Sequence, residues 1–123
     1  MSSGDGVSSL RPLDIDVSFW GPGIAVVALS GDVDVYTAPR FRDTLVTLSG
    51  QGCHLLLIDL NQVDFIHTTG LGVLLGALKR AKSSGGSVEL ACSQESILRL
   101  LRSGGLIEQF RIYSSQAQAR RYV

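Results

Sequence analysis

The sequence predicts an α/β fold: a single domain with a mixed β-sheet, an N-terminal antiparallel hairpin and packed α-helices. Three observations predict it. Two strand-like segments near the start are separated by a short Gly/Pro turn, Gly21-Pro22-Gly23, which suggests an antiparallel hairpin. Apolar strand segments and segments of helical period then alternate to the C-terminus, which implies parallel neighbours joined by right-handed crossovers. Finally, 45% of the 123 residues are hydrophobic and 18% charged, enough apolar material for one core and no more than one domain.

Residues 1–12 are polar and Ser/Gly-rich, so they read as a flexible tail and the domain as 13–123. Ile15, Val17 and Phe19 alternate with polar residues, the period of a half-buried strand, and Ile24–Ser30 follows as a second strand. Thr37-Ala38-Pro39 marks a helix start, with proline where its missing N–H costs little. Ala38, Phe41, Leu45 and Leu48 then recur at helical spacing until Gly50 and Gly52. Leu55–Leu60 is a continuous apolar run, as expected of a strand covered on both faces. Asn61–His67 reads as a loop, and a helix is predicted from about Thr69 to Ser83. Ser87–Ala91 gives another strand, and Ser93 is placed to cap a helix through Arg102. A short strand over Phe110–Tyr113 and a last helix, capped by Ser114 or Ser115 and running to the C-terminus, complete the order.

Composition narrows the function. Eleven acidic and eleven basic residues balance, so there is no basic surplus for nucleic acid or an acidic membrane. The longest apolar stretches, Leu55–Leu60 and Leu71–Leu78, are too short to span a bilayer, and no signal peptide is recognisable. A cytoplasmic protein is expected. Cys53 and Cys92 lack metal-like spacing and read as free thiols, and His54 and His67 have no HxxxH partner, so no metal and no cofactor are expected.

Two clusters carry the remaining information. The first is Gly31-Asp32-Val33-Asp34-Val35-Tyr36-Thr37-Ala38-Pro39. Asp32 and Asp34 could hold a cation or serve acid–base chemistry, or be turn and pre-helix aspartates; no neighbouring His, Cys or Lys completes a catalytic set. The second is Asp64–Gly76, which enters the second helix through His67-Thr68-Thr69-Gly70. Thr68 and Thr69 read either as helix N-caps or as phosphoacceptors, since a phosphate there meets free N–H groups and the positive end of the helix dipole. On a wheel of about 100° per residue, Leu71, Leu74, Leu75 and Leu78 form the core face. Thr69, Gly72, Val73, Gly76, Ala77 and Arg80 form the other. That second face is small and smooth, although interior glycines cost about 1 kcal/mol each relative to alanine. Either the glycines permit close packing inside the domain, or the face docks a second protein.

In this order and at this separation the two clusters resemble the STAS domain, in particular bacterial anti-sigma factor antagonists. The likeness runs from about Ile15 to Arg121 and includes the Gly104-Gly105-Leu106 turn. The resemblance implies a STAS-type domain that is not an enzyme. It implies an unphosphorylated antagonist that binds an anti-sigma factor with serine/threonine kinase activity and frees the sigma factor. Phosphorylation at the start of the second helix releases it, and a PP2C-type phosphatase resets it. The family's usual Asp-Ser-(Ser/Thr)-Gly stands here as His67-Thr68-Thr69-Gly70, which makes Thr68 the implied acceptor and Thr69 the second choice. Asp32, Asp34, His67, Thr69, Gly70 and the smooth helix face become the implied partner surface. The alternative is a non-switching STAS scaffold or sensor that self-assembles or binds a small ligand.

Overall fold

The computed structural model describes residues 11–123. Its strands are β1 (Asp14–Phe19), β2 (Ile24–Val33), β3 (Leu55–Ile66), β4 (Ser87–Ala91) and β5 (Ile112–Tyr113). Its helices are α1 (Ala38–Gly50), α2 (Thr68–Ser83), α3 (Glu95–Ser103) and the single turn α4 (Gln116–Ala119). The strands lie side by side in chain order. β1 runs antiparallel to β2, with Val17 opposite Val27, and every later pair is parallel. This is the mixed sheet with an antiparallel hairpin that the sequence predicts.

Because β2 to β5 advance across the sheet in one direction, right-handed crossovers must set α1, α2 and α3 on the same face. One continuous core results, in which Leu56 and Ile58 of β3 meet Phe41 and Leu45 of α1, Leu74 of α2 and Ile97 of α3. All are buried to completion or nearly so, and each such side chain contributes about 1.5–3 kcal/mol relative to exposure. Alternate residues Val26, Leu57, Ala91 and Tyr113 face the opposite side, where α4 supplies Ala119.

The chain after α4 closes that second side. Arg120 lies 4.7 Å above the Trp20 ring, and Tyr122 stacks on Tyr113 with centroids 5.8 Å apart. The expected C-terminal helix is therefore only one turn, capped by Ser115, which accepts from the Gln118 N–H. Continuing the helix would carry Tyr122 away from Tyr113, so ring packing ends it.

Three further expectations are corrected. Asn61–His67 is not a loop, since β3 continues to Ile66 and pairs with β2, itself extended to Val33. Two bulges make this possible: Ala28 pairs with Asp59 but Ser30 with Gln62, and Gly31 pairs with Val63 but Asp32 with Phe65. Ser93 does not cap α3; its N–H donates to Asn61 Oδ1 at 2.7 Å, and Gln94 occupies the cap position without a side-chain bond. The Gln94 amide donates instead to the carbonyls of Leu60 and Val63, beyond Asp59, where the pairing of β3 with β4 ends. Lastly, most of the expected tail lies outside the described residues, but Arg11 and Pro12 are tied down. The Arg11 N–H donates to Asp32 Oδ2 and its carbonyl accepts from the Asp32 N–H, both at 3.2 Å.

Gly31 is what lets this segment approach. Its φ is +97°, and a Cβ there would sit 2.1 Å from the Pro12 carbonyl oxygen. Gly31→Ala is expected to lower stability by about 1–3 kcal/mol. Urea denaturation should show a lower midpoint with an unchanged slope.

Candidate functional site

The parallel pairing of β2 with β3 ends at Val33 and Ile66, directly opposite one another. The His67 N–H then donates to the Val33 carbonyl at 2.7 Å. The two clusters, thirty-odd residues apart in the chain, thus emerge side by side at the C-terminal edge of the parallel strands.

Within the first cluster the aspartates have different roles. Asp32 is buried and holds Arg11, so it shapes the site from beneath and offers no carboxylate to a partner. Asp34 Oδ1 accepts from the N–H groups of Tyr36 and Thr37, at 2.9 and 3.0 Å, and from the Thr37 hydroxyl at 3.1 Å. Burial pushes the Asp34 carboxyl up, but these donors together outweigh it and hold the pKa below its usual 3.8. Asp34 and Thr37 thus lock the turn that starts α1, and Thr37 makes no capping bond of its own to the helix.

At the second cluster the cap of α2 is His67, not a threonine. Its Nδ1 accepts from the Thr69 N–H at 3.1 Å, and the Thr69 and Thr68 hydroxyls lie 3.0 and 3.4 Å from the same nitrogen. An accepting Nδ1 carries no proton, so the ring proton is on Nε2. Thr68 and Thr69 stand exposed around this nitrogen. Gly70 is buried, and a Cβ would fall 2.6 Å from Val33 Cγ1 and 2.8 Å from Ile66 Cγ1. It therefore seats α2 on the strand ends and takes no surface position.

The outer face of α2 also differs in detail from the wheel. Ala77 is buried and Leu75 is only half-buried, because α2 packs on α1 as well as on the sheet and its buried arc turns accordingly. Val73 is half-buried against the core. Gly72 has nothing within 4 Å of a Cβ position, and at Gly76 the only neighbour is Arg80 NH1 at 3.5 Å. Close packing inside the domain does not require either glycine. Arg80 folds back over Gly76, and its Nε and NH2 are enclosed with no hydrogen-bond partner among the described residues.

Sequence reasoning missed two features. Tyr36 is 87% exposed and Phe65, the register partner of Asp32, is 45% exposed, so two aromatic rings border the site. The second is the imidazole cap, whose only signal is a lone histidine immediately before a helix start. Among the described residues no group of three or more His, Cys, Asp or Glu is placed to hold a metal, and no helix is long and apolar enough to cross a membrane.

Fold and site together define a class: a small mixed-sheet α/β domain with a capped helix end and an acidic loop side by side at one sheet edge. Residues 21–119 match the STAS domain, and the chain belongs to that family. Over 80 residues it is 42% identical to the anti-sigma-B factor antagonist of Bacillus subtilis (strain 168), covering 65% of this chain and 72% of that protein. The crystal structure of an anti-sigma factor antagonist from Mycobacterium paratuberculosis matches with a TM-score of 0.82 at 23% identity, covering 91% of this chain and 94% of that one. The Bacillus cell fate determinant SpoIIAA in its phosphorylated form matches with a TM-score of 0.71 at 15% identity, covering 89% and 100%. At these identities the two structures establish the fold alone.

Two outcomes follow from the site's hydrogen bonds. His67→Ala should lose about 0.5–2 kcal/mol through the missing cap, while His67→Asp, which restores an acceptor, should lose little; urea unfolding of both variants checks this. Asp34, with its lowered pKa, contributes stability that is complete above about pH 4 and lost as the pH falls through its folded value. Asp34→Asn should flatten the acid limb of stability against pH, measured from unfolding midpoints across the acid range.

Proposed function

We propose that this protein is an anti-sigma factor antagonist whose outer α2 face docks on an anti-sigma factor with serine/threonine kinase activity. One observation carries the reading. Gly72 and Gly76 have room for side chains that they do not carry, at a cost to the helix of about 1 kcal/mol each. A smooth surface that nothing inside the domain requires is what close approach by another protein requires. Tyr36 and Phe65 at the rim supply the exposed aromatic area that contact surfaces favour. Arg80, folded over Gly76, borders this face. The relatives named as anti-sigma factor antagonists support the choice of partner class.

In this reading Thr68 is the switch. It is exposed at the N-terminus of α2, where a phosphate adds about −1.5 to −2 charges and meets the positive end of the helix. The domain tolerates the modification, whereas burying it against a partner without matching cations is costly. Phosphorylation therefore releases the antagonist without unfolding it, and a PP2C-type phosphatase restores it. The existence of a phosphorylated form of SpoIIAA supports a covalent switch in a protein of this fold.

Incubation with candidate anti-sigma kinases and ATP, followed by intact-mass analysis and site mapping, tests the switch. Phosphate on Thr68, lost in Thr68→Ala, is expected; phosphate confined to Thr69, or none with a kinase that demonstrably binds, overturns it. Gly76→Arg tests the surface: the domain should remain folded, since a Cβ there meets only the end of the Arg80 side chain at 3.5 Å, and lose binding by isothermal titration. Normal binding by the folded variant would remove α2 from the interface.

A further inference from the structure

We propose that His67 is the built-in counter-ion of a phosphate on Thr68: on modification its ring gives up the cap of α2, takes a proton from solvent and donates it to the phosphate. This inference rests on the reading of Thr68 as the switch, and it adds what the domain itself does when the phosphate arrives.

The geometry around the ring sets up a conflict. In the unmodified chain Nδ1 is an acceptor with one lone pair, and three donors surround it. They are the Thr69 N–H at 3.1 Å, the Thr69 hydroxyl at 3.0 Å and the Thr68 hydroxyl at 3.4 Å. Both threonines are exposed, so their hydroxyls can turn to solvent and leave the cap bond in place. A phosphate cannot. Carried by Thr68 Oγ1, it brings oxygens that only accept to a nitrogen that also only accepts. A proton placed between the two turns that repulsion into a charge-assisted hydrogen bond. Imidazole is the side chain able to take one near neutral pH. Once Nδ1 is protonated, both ring nitrogens donate and the Thr69 N–H loses its acceptor. A phosphate oxygen then accepts from that N–H, as anions do at helix starts, and α2 stays capped.

The charged side chains on the neighbouring elements leave His67 this task. Its N–H is bonded to the Val33 carbonyl, which sets Asp32 and Asp34 beside it. Asp32 Oδ2 accepts from the Arg11 N–H, and Asp34 Oδ1 accepts from Tyr36 and Thr37. On β3, Asp64 pairs with the Arg11 guanidinium, which also donates to the Gln62 carbonyl. Arg40 of α1 donates to the Leu13 carbonyl, and Glu95 of α3 lies 3.8 Å from Arg102. The first turn of α2 contains no acidic residue. Among the described residues, His67 is the titratable group that both threonine hydroxyls reach.

The test uses the full chain with phosphothreonine installed in place of Thr68 during translation. No kinase is then needed, and a failed kinase assignment is a separate result. His54→Gln, at an exposed position, leaves His67 as the one imidazole to follow by nitrogen NMR. At neutral pH the unmodified chain should show a neutral ring protonated on Nε2, and the modified chain an imidazolium. Urea unfolding gives a second readout, the change in folding equilibrium on modification. That change should be about tenfold more favourable with His67 than in His67→Asn, which keeps a cap acceptor but cannot take the proton. It should be less favourable again in His67→Asp, where two anions meet. A ring that stays neutral beside the phosphate, or a change on modification that is equal in all three chains, overturns the proposal.

Discussion

The functional end of this molecule depends on how far β2 and β3 stay paired. Had the parallel ladder stopped at Ala28 and Asp59, the two motifs would leave the sheet at different heights and point apart. Two bulges absorb the mismatch in length and carry the pairing to Val33 and Ile66. There a single backbone bond, His67 N–H to the Val33 carbonyl, joins the exit of one strand to the exit of the other. The Asp34 turn, the cap of α2 and the seat of Gly70 are all built on that junction.

The arrangement of helices follows with little freedom. Strands laid down in chain order oblige every crossover helix to share a face, which leaves the opposite face to the short segment after β5. That segment covers it with few residues by using large ones: Tyr122 on Tyr113 and Arg120 on Trp20. The large core carries most of the apolar burial, while the small one fixes the position of the C-terminus.

Much of the fold was legible because local pattern and tertiary role agree. Leu55–Leu60 reads as a buried strand and is one; Ala38 to Leu48 reads as a helix with one buried stripe and is one. The continuation of β3 through Asn61, Gln62 and Asp64 was not legible, since these residues favour turns and are held extended only by β2. The helical wheel placed Leu74 correctly but exchanged Ala77 and Leu75, because it has no knowledge of α1. At the site, both motifs could be found in the sequence, but not that Asp32 is buried under Arg11 or that the threonines surround an imidazole nitrogen. Such facts depend on groups that meet only when the sheet is complete.

The imidazole cap has an electrostatic consequence. An aspartate in the same place would satisfy the helix end and also cancel much of its positive partial charge. The imidazole satisfies the Thr69 N–H through Nδ1 without bringing a carboxylate's negative charge to the helix end. The start of α2 is thereby stabilised and left electropositive, so an anion arriving at Thr68 meets the undiminished helix dipole and no carboxylate in the capping position.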